Sequence, residues 1–445
     1  MPDTIVIRKG LDLPIGGVAE KRVVDGRDIA EYAVKPTDFV GLTPRLSVAE
    51  GDEVSVGDAL FYDKNDERIR FTSPVNGIVK AIVRGEKRRI LEVVVESDGK
   101  AELSKNSKFA DNSEDLKKMM LQCGLWTMMR QRPFGTVANP DDEPKAIFVS
   151  AFSSVPLAPD YDFVMQGREE HLKKGLEALT QLTKGTVHVC FRLGQGLAQQ
   201  LQTSNSKLQT HLVKGPHPAG NVGTQIAHID PINKGEVVWT MNLQDVAVLG
   251  ELVSTGVYNP EKIMAVAGPN VENPQYYKVK AGACLKGFKF KENSRVISGN
   301  ILSGNKIASD GFLGAYDDLV SVIPEGDYYD FMGWLMPGFK KFSFSRTFVS
   351  GFLPKLLNWR FDTNTHGDVR PLVFTGDFER VFPFDIYPTQ LIKACIIGDV
   401  ELMENLGIYE VEPEDFALCE FIDVSKTDIQ AIIREALEKL RKEGG

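Results

Sequence analysis

Two histidines, His217 and His228, frame the stretch of this chain best suited to ligand chemistry. They lie in a run from Gly215 to Pro231 that also holds Pro216, Pro218, Gly220 and Gly223. An imidazole titrates near neutral pH and donates readily to a carbonyl oxygen, and glycines let a backbone approach a ligand closely. The competing reading is a rigid Pro/Gly loop in which His217 only satisfies main-chain carbonyls. His211 stands nearby, but no carboxylate or thiolate at metal-ligand spacing completes a triad, so no metal site is expected.

A second stretch is aromatic. From Phe331 to Phe352 the chain carries Trp334, Phe339, Phe342, Phe344 and Phe348, with Lys340, Lys341 and Arg346 interleaved. Such a segment is either core or a surface that docks on a membrane partner or lipid headgroups, because large exposed apolar patches mark interaction sites. Nucleic-acid bases stack on similar rings, but 52 basic against 61 acidic residues give a net charge of −9, which argues against that partner.

Elsewhere the chemistry is conspicuously thin. Cys123, Cys190, Cys284, Cys395 and Cys419 are odd in number and widely spaced, which suits neither a disulfide framework nor a metal or iron–sulfur site. Gly194-Gln195-Gly196 opens like a dinucleotide fingerprint, yet Gln199 stands where the third glycine belongs and no ribose-binding acid follows; a tight turn is the better reading. No set of residues forms a catalytic centre.

The elements that must position these residues fall into four groups, an α+β multidomain chain. Residues 1–100 hold an N-terminal segment and short Val/Ile/Phe runs separated by glycine turns, which predicts a β-sandwich. Its spacing resembles lipoyl/biotinyl domains, with Lys64 in the interval where a carrier lysine would sit, though too far from Ser73-Pro74; a scaffold is expected. After a linker from Ser97 to Ser107, residues 101–254 alternate strands (Ala146 to Ser150, Val187 to Phe191) with helices (Ser113-capped, Glu169 to Thr183, Val246 to Val257), a Rossmann-like α/β layer. Residues 255–330 return to short strands, a small mixed β domain. Residues 331–445 are helical toward the end, with Pro388 opening one helix, Asp399 capping the next, and a stripe from Ile429 to Leu440 marking an amphipathic last helix. No apolar run approaches the ~18–20 residues needed to span a bilayer, and no signal-like region opens the chain.

Three stretches, Arg8 to Ile15, Gly215 to Thr224 and Val373 to Val381, together with this domain order, resemble the A subunit of sodium-translocating NADH:quinone oxidoreductases. The resemblance covers essentially the whole chain. It implies a β-grasp-like (SLBB) domain at 255–330 and a C-terminal domain like a ferredoxin without clusters. It also implies a peripheral location on the cytoplasmic face of the bacterial inner membrane, with the membrane subunits of the same complex as partners, the quinone-site B subunit above all. Enzyme activity, NADH:ubiquinone reductase with Na⁺ transport, would belong to the complex. Rnf and complex I relatives carry a glycine-rich flavin loop after the first α/β helix, where this chain reads Gly124 to Gly135 with Trp126, Met128 and Met129. They also carry cluster cysteines where this chain has Leu372, Thr375, Phe378 and Phe382, and a second set aligning with Pro413, Phe416, Cys419 and Asp423. Neither FMN nor an Fe–S cluster is therefore expected. Ubiquinone or menaquinone is the expected substrate of the complex, with His217, Gly220, Gly223 and His228 as candidate contacts and Trp334, Phe339, Phe342, Phe344 and Arg346 as candidate docking residues. The rival reading is an Rnf-like electron-transfer protein with an atypical cofactor.

Overall fold

The computed structural model describes residues 4–26, 29–99, 112–201, 205–333, 335–339, 341–352 and 359–444. The expected linker beyond Gly99, Trp334 and Lys340 lie outside those residues. Four sheets carry the β structure. The largest runs in the order Thr4–Val6, Leu208–Lys214, Thr186–Arg192, Ala146–Ser150, Val238–Thr240, Arg130–Arg132, Thr136–Val137. Its first five strands are parallel, and the Arg130–Arg132 strand runs antiparallel beside Val238–Thr240. Strands buried on both faces need continuous apolar runs, and the residues Ala146, Ile147, Phe148 and Val149 are all buried.

A six-stranded mixed sheet is built mainly from residues 261–324. The sandwich pairs a four-stranded sheet (Glu31–Val34, Ile90–Ser97, Gly77–Arg84, Glu53–Val54) with a three-stranded one (Pro44–Leu46, Ala59–Asp63, Asp66–Thr72). Lys64 stands exposed at the tip of the two-residue turn joining Asp63 to Asp66. One continuous core runs through these three parts, and a second core fills the helical region from Phe378 to Leu440.

The N-terminal segment of residues 1–100 pairs outside the sandwich. Thr4–Val6 is an edge strand of the parallel sheet, and Glu20–Asp25 pairs in parallel with Gln275–Lys280 of the six-stranded sheet. The strands of residues 4–25 thus join other sheets before the sandwich begins, a long-range pairing that local pattern cannot reveal. Helix ends shift modestly. Asn112, not Ser113, caps Ser113–Cys123 by accepting from the Asp115 amide. The helix expected over Glu169 to Thr183 stops at Leu179, and the one expected from Val246 begins at Leu243. Pro388–Ile397 and Val400–Asn405 form where proline and Asp399 signal them. Asp428 caps the last helix, Ile429–Glu443.

Two helices, Glu169–Leu179 and Leu243–Thr255, cross with almost no gap. A Cβ on Gly175 would overlap the Val246 carbonyl, and one on Gly250 the His171 carbonyl. Where the sandwich, the parallel sheet and the six-stranded sheet converge, a buried polar network joins them. Lys262 pairs with Asp245 at 3.0 Å and donates to the Ala315 carbonyl. Tyr161 Oη donates to Asp318, Ser298 to Asp317, and the Ala315 amide to Asp38. Such groups stay buried only when paired.

Candidate functional site

The three distinctive stretches Arg8 to Ile15, Gly215 to Thr224 and Val373 to Val381 meet in space. The Leu11 amide donates to the His217 carbonyl (2.8 Å), the His217 amide donates to Asp12 Oδ1 (2.9 Å), and the Gly10 amide donates to the Arg380 carbonyl (3.1 Å). Gly10 has φ +144°, and a Cβ there would overlap the His217 carbonyl oxygen, so only glycine fits. This junction lies beside the carboxyl ends of the parallel strands, where open α/β sheets take ligands.

At that edge the chain's own groups occupy the donors. His217 is buried, with Nδ1 3.1 Å from Ser154 Oγ, which in turn accepts from the Gly220 amide at 2.8 Å. Burial pushes the His217 imidazole down to about 4, so it is neutral at physiological pH. His228 is exposed on the helix Val222–Ile229, with Nδ1 2.8 Å from the Thr224 carbonyl one turn back. The two histidines therefore stand in different surroundings, one walled in and one in solvent. Gly220 packs against Ser153 and Ser154, and Gly223 is where Arg132 and Asp415 approach the helix: a Cβ on Gly223 would stand 2.5 Å from Arg132 Nη1 and from Asp415 Oδ1. His211 turns instead to His188, whose Nδ1 lies 2.9 Å from His211 Nε2. Among the described residues no group of three or more His, Cys, Asp or Glu is placed to hold a metal ion.

Two helix starts that would face an anion face carboxylates of the chain itself. The amides of Gly196 and Leu197, in the GxG turn, both donate to Asp162 at 3.0 Å. Asp415 sits against Gly223 in the first turn of Val222–Ile229. It belongs to a buried cluster in which Arg132 meets Glu412 (3.4 Å), Glu414 (2.7 Å) and Asp415 (3.2 Å), tying the parallel sheet to the helical region. Burial raises the Asp415 carboxyl although Arg132 opposes it. Arg434 adds a bond to the Phe134 carbonyl at 2.7 Å. The pairing of Arg132 with Asp415 carries no local sequence signal, because the two lie 283 residues apart; Asp415 also accepts from the Glu412 amide at 2.9 Å at the start of its own helical turn.

The stretches that the resemblance aligns with flavin and cluster motifs are packed with side chains. Trp126 and Met129 are buried; the Trp126 indole donates to the Ala138 carbonyl and meets Trp239 edge-on at 5.4 Å. In the helical region Phe382 lies 4.7 Å from Phe416 and 4.8 Å from Phe384, so the two segments aligned with cluster motifs are joined through aromatic rings. Phe378 and Cys419 are buried in the same core, whereas Thr375 is exposed and Leu372 packs at the margin.

The aromatic stretch divides. Phe342 packs among Trp359, Phe361 and Phe421 at 5.5–5.6 Å, and Phe344 lies under the Arg380 guanidinium at 4.4 Å. Phe339 is 67% exposed and Arg346 is exposed too. Tyr329, Phe331, Leu335, Met336 and Phe352 are each more than half exposed, a concentration that the sequence pattern does not distinguish from core. Internal bonds shape this strap: Lys341 pairs with Asp330, the Val349 amide donates to the Pro337 carbonyl at 3.0 Å, and Ser350 donates to the Lys341 carbonyl. No helix among the described residues is long and apolar enough to cross a membrane.

Similarity to known proteins extends along almost the whole chain. Family models described as the NqrA N-terminal barrel-sandwich hybrid domain, the NqrA second alpha/beta domain and the NQRA C-terminal domain match residues 5–98, 111–258 and 263–309. The A subunit of the Na(+)-translocating NADH-quinone reductase of Yersinia pseudotuberculosis is 38% identical over 450 residues, covering 99% of this chain and 100% of that protein. The corresponding protein of Histophilus somni is 39% identical, and that of Neisseria meningitidis 38% identical, each across 99% of this chain and all of the relative. Among solved structures, an NAD⁺-reducing [NiFe]-hydrogenase chain aligns over 75% of this chain and 61% of its own, with 12% identity and a TM-score of 0.39. The full-length relatives are decisive: this chain belongs to the NqrA family, the A subunits of Na(+)-translocating NADH-quinone reductases.

Proposed function

We propose that this chain is the peripheral subunit through which a sodium-pumping, NADH-oxidising complex is assembled and its quinone side completed. NADH:quinone reduction and Na⁺ transport are activities of the whole complex rather than of this chain alone. The observation that carries this reading is full-length kinship with A subunits of Na(+)-translocating NADH-quinone reductases; the buried Trp126 and the contacting Phe382 and Phe416 rings, in the stretches that the resemblance aligns with flavin and cluster motifs, support it. In this reading flavins and clusters belong to other subunits, which carry the redox chemistry.

In this reading the four-part division at 100, 254 and 330, with a Rossmann-like parallel sheet second, is a scaffold. The exposed strap Tyr328–Phe352 faces the membrane-embedded partners, the B subunit among them, on the cytoplasmic side. Its apolar tip supplies the desolvated area that a stable interface requires. Quinone approaches from that side, with the exposed His228 as the accessible member of the candidate contacts His217, Gly220, Gly223 and His228. The test is reconstitution. Membranes holding the remaining subunits but lacking this chain should lose NADH-driven quinone reduction and regain it when the purified chain is added. Reduction that proceeds equally well without the chain refutes the proposal.

A further inference from the structure

At the base of the exposed strap four rings close a box. Phe342 makes near edge-on contacts with Trp359 (5.6 Å, 88°) and Phe361 (5.5 Å, 67°) and a tilted one with Phe421 (5.6 Å, 47°). Trp359 and Phe361 are 6.4 Å apart, and Phe361 and Phe421 5.8 Å. Trp359 is 5% exposed, yet its indole Nε1 has no hydrogen-bond partner. Buried indoles nearly always spend that proton, as Trp126 does on the Ala138 carbonyl and Trp239 on Gln131 Oε1.

The walls of the box differ in how firmly they are held. Trp359 is fixed by its main chain, whose amide donates to the Pro14 carbonyl (2.9 Å) and whose carbonyl accepts from the Gly16 amide (3.3 Å). Phe361 packs on the main core, next to Arg360, which donates to the buried Asn270. Phe421 rides on the helix Ala417–Ile422. Phe342 alone belongs to the strap, and it is half-buried. A planar ring taking the place of the Phe342 phenyl would enter among three aromatic partners, one of which, Trp359, has an indole N–H without a hydrogen-bond partner. Its apolar tail could then run out along the exposed Phe339, Met336 and Leu335.

We infer that the Phe342–Trp359–Phe361–Phe421 box is a binding site for the headgroup of a lipophilic quinone, with Trp359 Nε1 donating to one quinone carbonyl. The ligand class rests on the proposed function; the location rests only on the rings and the orphan donor. Rings of a 1,4-quinone carry the flat face and the carbonyl acceptor that this arrangement lacks.

The experiment uses the full chain labelled with ¹⁵N-indole tryptophan and titrated with menadione, with 2-methylnaphthalene as the matched ring lacking carbonyls. The Trp359 indole N–H resonance, assigned by its loss in Trp359→Phe, should move downfield with menadione and not with 2-methylnaphthalene. Trp359→Phe should weaken menadione binding about fivefold to tenfold, the worth of one hydrogen bond. Phe342→Ala should bind at least as tightly as the native chain, since it opens the position that the ring takes. Menadione binding with no change at the Trp359 N–H overturns the box while sparing a quinone role elsewhere on the chain. No menadione binding by the native chain or by Phe342→Ala overturns both. The N–H readout needs no variant to fold beyond the one used for assignment.

Discussion

His217 illustrates how burial decides a residue's chemistry. Sequence offers it as a donor near neutrality, but the N-terminal segment covers it, Ser154 takes its Nδ1, and loss of solvent lowers its pKa from the ordinary 6.5 to about 4. The consequence for stability has a definite sign. Between pH 6.5 and 4 the unfolded chain binds a proton that the folded chain refuses, so the contribution is complete above 6.5 and is lost as pH falls through that window. From about pH 7.5 to about pH 5 the loss amounts to about 2 kcal/mol, at ~1.4 kcal/mol per unit. Urea unfolding of the native chain and of His217→Asn at both pH values should show the native chain losing about 2 kcal/mol more than the variant; equal losses would mean that the imidazole is already solvated. His188, also lowered to about 4 by burial and then by His211, is common to both proteins and cancels. What was legible at this scale was residue type: the glycines between Gly215 and Pro231 stand where other parts of the chain come close, although half of the stretch is the helix Val222–Ile229 rather than a loop. What it approaches was not, since Asp12 is 205 positions from His217 and Asp415 binds a strand residue 283 positions away.

At the scale of elements, local physics served well wherever a helix carries its own start and stop. Pro388 and Gly398 bracket one helix and Asp399 caps the next, as their chemistry dictates. It served poorly for strands whose partners are remote: the strand Glu20–Asp25 gives no local hint that it will lie beside Gln275–Lys280. The aromatic stretch failed for a related reason. Alternation cannot separate rings that pack, such as Phe342 and Phe344, from rings left in solvent, such as Phe331 and Phe339, when the covering elements come from distant sequence. The tight crossing of Glu169–Leu179 over Leu243–Thr255 gives an element-scale prediction. Gly250→Ala places a methyl against a main-chain carbonyl that cannot yield, so it should cost about 2–3 kcal/mol in denaturant unfolding. Stability equal to the native chain's would show that the helices can separate freely.

For the whole molecule, one arrangement recurs: turn amides, a helix start and the interiors are each met by another piece of the same chain. Asp162 meets the turn amides at Gly196 and Leu197, Asp415 meets the helix start at Gly223, Trp126 fills the second domain's interior, and Phe382 with Phe416 fills the helical one. Arg132, ringed by three carboxylates, makes the helical region and the parallel sheet one body, and pairs of that kind cannot lose a member cheaply. Among the described residues, such a body carries a concentration of exposed apolar side chains along the strap. Its role can be read directly from retention of the chain on membranes that carry the other subunits. Phe331 is 88% exposed and Phe339 67%, so Phe331→Asp combined with Phe339→Asp should leave thermal unfolding unchanged. If the strap docks on those membranes, this folded variant washes off while the native chain stays bound. Retention of the two proteins to the same extent would show that the strap does not hold the chain there.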